Sequence, residues 1–113
     1  TPPRGGPQLT IGDRHGATAP VELVDAVMAT LEGHGYTVAR NAPYAGAFSI
    51  AHHARRDAGI AAIQLECDRA LYLDGHGEPE PAGVRRLTAA IESMAATAAD
   101  WCRRGQTWPL AAE

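Results

Sequence analysis

With 113 residues and a 45% apolar share, the chain has the size and the core-forming side chains of one folded domain, which argues against disorder over most of its length. A net charge near −3 with ten scattered basic residues offers no phosphate-tracking surface, which argues against a nucleic-acid partner. No apolar run approaches the ~20 residues that cross a bilayer, so no membrane-spanning helix and no membrane partner are expected.

Residues 1–8 are rich in Pro and Gly and read as a loop or linker. They lack the apolar core of a secretory leader, and the first residue is Thr rather than Met. The expectation is a piece of something longer: residues 1–113 as a single domain or as the C-terminal fragment of one larger catalytic domain. Cys67 and Cys102 have no C-x-x-C spacing and are read as two reduced thiols of a cytoplasmic protein.

Leu9-Thr10-Ile11 predicts a short strand, stopped by the polar corner Gly12-Asp13-Arg14-His15-Gly16. The corner is too short for a phosphate-cradling loop and has no Lys-Ser/Thr. It is either a strand-to-loop corner that presents three functional side chains or an ordinary polar turn with an Asp13–Arg14 pair. A helix opens at Thr18 or Ala19-Pro20, with Pro20 at its first position and Val21, Val24, Val27, Met28 and Leu31 on one stripe. His34-Gly35 closes it, with Gly35 as the left-handed cap and His34 as a partner of the helix dipole. Tyr36 to Arg40 alternates and is β-rich. Strand, helix and strand with short joints predict a parallel pair with a right-handed crossover, and so an α/β fold with a partly parallel sheet flanked by helices.

Asn41 to Ala47 is a loop in which Pro43 and Gly46 set the turns, so Tyr44 is held at a defined place. Phe48 to His53 fits either a short helix or an extended segment, and Arg55-Arg56-Asp57 is a solvated charged loop. His52 and His53 are adjacent and point different ways in regular structure, so at most one could ligate a given ion. Gly75 to Pro81 is a breaker-rich loop. A long helix follows from about Ala82 to Arg104, with Val84, Leu87, Ile91, Met94, Ala98 and Trp101 as an apolar seam expected to lie on the sheet. Residues 106–113 are a tail pinned by Trp108.

The rest of the chain is arranged to present Gly59 to Asp74. Ile60-Ala61-Ala62-Ile63 predicts a strand buried on both faces, and Gln64, Glu66, Asp68 and Arg69 follow where it should leave the sheet. Ligands of open α/β sheets bind at strand ends. A carboxylate delivered there by a rigid element is a natural general base, and Glu66 is the candidate. Glu66 and Arg69, three apart, could equally pair with each other at a helix start.

Three motifs carry a resemblance. The loop N-A-P-Y-A-G-A-F, the run Q-L-E-C-D-R-A-L-Y-L-D and the corner G-D-R-H-G-A resemble, in that order, the N-x-P-Y-x-G-G, Q-[IL]-E-[IV]-N-R-x-L-Y-[ML]-[DE] and G-D-R-x-G elements of the N-formylglutamate amidohydrolase family. The corner stands first in the chain and a helix separates it from the loop; together the motifs cover residues 11–74. The chain departs from the pattern at Ala47, at His53 and at Asp68, which leaves the acyl amino acid open.

The resemblance implies the C-terminal segment of a phosphorylase/hydrolase-like, zinc carboxypeptidase-like three-layer fold. It also implies a zinc ion held by a His-x-x-Glu pair and a later His, all upstream of Thr1. Its activity would be hydrolysis of a small-molecule N-acyl amino acid such as N-formylglutamate. Glu66 would take the proton of the attacking water, and Arg14 and Arg69 would pair with the substrate's carboxylates. Tyr44 would donate to the scissile carbonyl or to a substrate carboxylate, and Asn41 would brace the loop or donate as well. The rival readings are a related peptidase or deacylase on the same scaffold and a non-catalytic binding module without the metal half. A sheet left with an unpaired edge would also favour self-association.

Overall fold

The computed structural model describes residues 6–105 together with Trp108. Strand β1 (Leu9–Gly12) is central: Leu9 and Ile11 are wholly buried on one side, and Thr10 between them faces the other. Helix α1 (Val21–Gly33) leads to β2 (Val38–Arg40), which runs parallel to β1 with Leu9 opposite Val38 and Ile11 opposite Arg40. Strand β3 (Gln64–Cys67) pairs antiparallel on the other side of β1, setting Thr10 opposite Glu66 and Gly12 opposite Gln64. The order is β2-β1-β3, a mixed α/β sheet in which the parallel pair expected from the strand-helix-strand unit is present.

The placement of β3 corrects the sequence reading. Ile60-Ala61-Ala62-Ile63 is not a strand; Ile60 is half-exposed and makes an isolated bridge to Arg55, and the Ala62 N–H donates to the Thr18 carbonyl. The strand is the next four residues, whose polar-apolar alternation suits a strip with one covered face. Leu65 and Cys67 pack on the core, while Gln64 and Glu66 face away. Glu66 therefore stands within the strand, not beyond its end.

Helix α1 starts one residue later than expected, so Pro20 is its N-cap, with extended backbone, and not its first helical residue. Its buried stripe is Leu23, Val24, Val27 and Leu31, and Val21 at the margin is half-exposed. His34 caps the C-terminus and Gly35 takes the left-handed φ of 92° that the exit turn needs. Phe48–His53 resolves as a short helix, α2, and Arg56–Ala58 as a single 3-10 turn.

Helix α3 (Pro81–Arg103) begins where the Glu80 carboxylate accepts the N–H groups of Ala82 and Gly83, with Pro81 at its first position. Its buried line is Gly83, Leu87 and Ala90, continued by half-buried Met94, Ala98 and Trp101. Val84 and Ile91, expected in that line, are each 39% exposed. The seam also does not lie mainly on the sheet. Its main partner is α1, and small residues allow the close approach. Thr30 and Thr97 meet across the pair at 2.7 Å, each also near the carbonyl four residues earlier in its own helix. Gly83 lies against the Leu71 carbonyl with no room for a Cβ.

Leu9, Ile11, the α1 stripe, Leu87 and Ala90 form one core. Trp108 is buried, with the Arg56 guanidinium 5.0 Å over its ring. The other residues of the 106–113 tail, and residues 1–5, lie outside the described residues. Cys67 and Cys102 are unpaired thiols. No helix among the described residues is long and apolar enough to cross a membrane. Both long helices sit on one side of the sheet, leaving Thr10, Gln64 and Glu66 on the other.

Candidate functional site

The C-terminal ends of the parallel strands β1 and β2 bring Asp13 and Arg40 together. Asp13 has no exposed surface; its Oδ2 accepts from Arg40 Nη2 at 2.5 Å and its Oδ1 from Asn41 Nδ2 at 2.6 Å. Asn41 Oδ1 accepts the Asp13 N–H in return at 3.0 Å. Burial alone would raise the Asp13 pKa, but the hydrogen bonds from Arg40, Asn41 and the Gly16 N–H, with the Arg40 charge, hold it below its ordinary value of 3.8. The carboxylate is thus an anion at neutral pH. It organises a corner where Arg14, His15 and Asn41 all take left-handed φ values of 50°, 56° and 58°. Such backbone costs on the order of 1 kcal/mol per residue and persists only where its surroundings hold it.

The loop after β2 is fastened at both ends. At its start the Asn41 N–H donates to the Ile11 carbonyl, and the Ala42–Pro43 peptide is cis. At its end the Arg14 N–H donates to the Ala45 carbonyl at 2.7 Å, and Arg14 Nη1 lies 3.4 Å from the Gly46 carbonyl. Gly12 permits this contact: a Cβ there would sit 2.9 Å from backbone atoms of Ala45 and Gly46. Tyr44 is presented between the two fastenings, 61% exposed.

Glu66, half-buried, lies on the sheet face opposite the long helices. Gln64 Nε2 donates to Glu66 Oε1 at 2.8 Å, while Gln64 Oε1 accepts the Ala47 N–H at 2.9 Å. An open cleft of about 1100 Å³ is lined by Thr10, Tyr44, Glu66, Asp68, Arg69 and Asp74 among others. Asp68 caps the 3-10 turn at Arg69–Leu71 by accepting the Ala70 N–H, and Arg69 is exposed at the cleft wall. Asp74 accepts the N–H groups of His76 and Glu78. Burial pushes the Cys67 thiol up, away from the reactive thiolate.

Of the five residues singled out from sequence, Glu66, Tyr44 and Arg69 share this cleft, whereas Arg14 and Asn41 stand behind the loop and fasten it. Asp13 does not pair with Arg14 but with Arg40, a residue that sequence reading passed over. A signal was available: Arg40 ends a strand parallel to the one that Asp13 follows. Glu66 and Arg69 form no ion pair among the described residues. Gln64 was noted as polar but not as the partner of Glu66. His52 stacks on Phe48 and meets His53 edge-on. The described residues contain no group of three or more His, Cys, Asp or Glu that could hold a metal ion, so the zinc implied by the resemblance does not fit them.

The described residues form a small α/β structure with a mixed three-stranded sheet, and Glu66, Tyr44 and Arg69 bring a carboxylate, a phenol and a guanidinium to one cleft. The family model for N-formylglutamate amidohydrolase matches residues 2–73, and the chain belongs to that family. It is similar to the crystal structure of N-formylglutamate amidohydrolase from Ralstonia eutropha JMP134, with 34% identity and a TM-score of 0.74 over 94% of this chain. The match covers 38% of that protein's chain, so this chain spans well under half of its length. No curated protein matches.

Proposed function

We propose that this chain supplies the general base and one substrate-binding wall of a hydrolase that removes the formyl group from N-formylglutamate or a closely related N-acyl acidic amino acid. The observation that carries this reading is the cleft itself: Glu66, Tyr44 and Arg69 open into one space, and one carboxylate oxygen of Glu66 has no hydrogen-bond partner among the described residues. In this reading that oxygen takes a proton from water as the water attacks the formyl carbon. The proton then passes to the departing nitrogen, the C–N bond breaks, and formate and the free amino acid leave. Arg69 pairs with a substrate carboxylate and Tyr44 donates to the scissile carbonyl or to the second carboxylate.

Arg14 and Asn41 serve by holding the loop that carries Tyr44. The zinc that the resemblance implies belongs, in this reading, to residues other than the described ones, within a zinc carboxypeptidase-like three-layer fold. Family membership and the 34% identity to a structure of the named enzyme support the substrate class. The test is Glu66→Gln in the full-length protein, with release of free glutamate from N-formylglutamate as readout. A fall in kcat of about 10²–10⁴-fold is expected for loss of a general base, and near-normal turnover would sink the assignment.

A further inference from the structure

The contact between Gln64 and Glu66 leaves no choice of amide orientation. A backbone N–H can only donate, so the Gln64 atom 2.9 Å from the Ala47 nitrogen must be the side-chain oxygen. The nitrogen then faces Glu66 Oε1 at 2.8 Å and donates to it. One amide thus reads the loop with its acceptor and holds the carboxylate with its donor. Ala47 is three residues beyond Tyr44 and follows Gly46, whose carbonyl faces Arg14. Glu66 Oε2 is left open while Oε1 is pinned.

We propose that Gln64 is a positioning residue that couples the seating of the Tyr44 loop to the aim of the Glu66 carboxylate. The proposal rests on the reading of Glu66 as the base and adds a regulator of its geometry: when Ala47 is in place the amide is locked, and the free oxygen of Glu66 is turned to the cleft. When the loop lifts, Gln64 loses the contact that fixes its orientation, and the base loses its aim. Among the described residues, the other titratable groups that line the cleft are Tyr44, Cys67, Asp68, Arg69 and Asp74. Asp68 and Asp74 are each engaged by backbone N–H groups of their own turns, and Gln64 is the side chain that holds Glu66.

Two variants in the full-length protein separate the halves of the amide. Gln64→Leu removes both contacts. Amide exchange at Ala47 should speed up about tenfold or more, and kcat for N-formylglutamate should fall about tenfold with KM changed less than about twofold, as for the loss of one charge-assisted hydrogen bond. Gln64→Glu keeps an acceptor for Ala47 but sets a second carboxylate against Glu66, and two such groups in contact cannot both ionise. Ala47 exchange should then stay as in the wild type, while the acid limb of the kcat/KM profile moves up by about one pH unit or more.

Unchanged Ala47 exchange in Gln64→Leu overturns the coupling. So does a Gln64→Glu acid limb coincident with the wild type, in a protein that Glu66→Gln inactivates. Wild-type turnover in Glu66→Gln is a different failure: it overturns the base assignment itself, and the coupling's catalytic meaning with it.

Discussion

Replacing Asp13 with Asn tests how much of the fold depends on one buried anion. The side chain keeps its shape and its Oδ1 can still accept from Asn41, but an amide nitrogen now faces the Arg40 guanidinium, donor against donor. The lost charge-assisted bond is worth about 1.5–3 kcal/mol. The full penalty for stranding a buried charge, about 3–5 kcal/mol, does not apply because the Arg40 side chain is 29% exposed and keeps some water. Asp25, 4.0 Å away and 68% exposed, offers it little compensation. The expected cost is therefore about 2–3 kcal/mol, or roughly 10 °C in Tm for a chain of this size.

The pH dependence fixes the cause. Asp13 has a folded-state pKa below its ordinary 3.8, so its stabilisation is complete above about pH 4 and is lost as the pH falls through the lower folded-state value. In that window the unfolded chain binds more protons. Urea melts of the two proteins at pH 7, 5, 4 and 3 should show a constant gap down to pH 5 that narrows at pH 3. A gap as wide at pH 3 as at pH 7 would refute the electrostatic account, and no gap at pH 7 would refute the network's importance.

Gly12→Ala places a methyl group 2.9 Å from the backbone of Ala45 and Gly46, and should cost about 1–3 kcal/mol in denaturant melts while speeding amide exchange in the loop. Leu31→Ala empties a wholly buried site between α1 and the rest of the core, with a loss of about 2–5 kcal/mol by the same melts. Arg69→Ala should raise KM for N-formylglutamate about tenfold or more and lower kcat less, in steady-state kinetics of the full-length protein; an unchanged KM would remove Arg69 from the substrate contacts.

The parts legible in the sequence were those governed by local rules. β1, α1 with its Gly35 exit, and β2 follow from periodicity and capping, and short joints implied the parallel pair. The misreading of β3 has a clear origin. An unbroken apolar run looks more strand-like than an alternating one, yet here the alternation marks the strand because only one face of the sheet is covered by the long helices. The α3 seam is right at Leu87, Met94, Ala98 and Trp101 and wrong at Val84 and Ile91, because Gly83 and Ala90 are small enough to let the helix come close and are buried in their place. The Asp13–Arg40 pair spans 27 positions and exists only through strand register, which adjacency to Arg14 obscured. Glu66 was selected from the resemblance and its place near a strand end; the structure keeps it in the cleft but supports it through Gln64, a neighbour two positions away on the same face of β3.

The contact of Gly83 with the Leu71 carbonyl has a consequence for how this surface can vary. The 3-10 turn that carries Arg69 is stitched to the start of α3, since the Glu80 N–H also donates to the Tyr72 carbonyl at 2.8 Å. Any side chain at position 83 would wedge that turn away from the helix and swing Arg69 with it. Tolerance at this helix position is therefore set by the Leu71 carbonyl, and a substitution there reaches a cleft that the residue itself does not line. A saturation library scored for folding and one scored for turnover should disagree most sharply at Gly83 and agree along the exposed turns of α3.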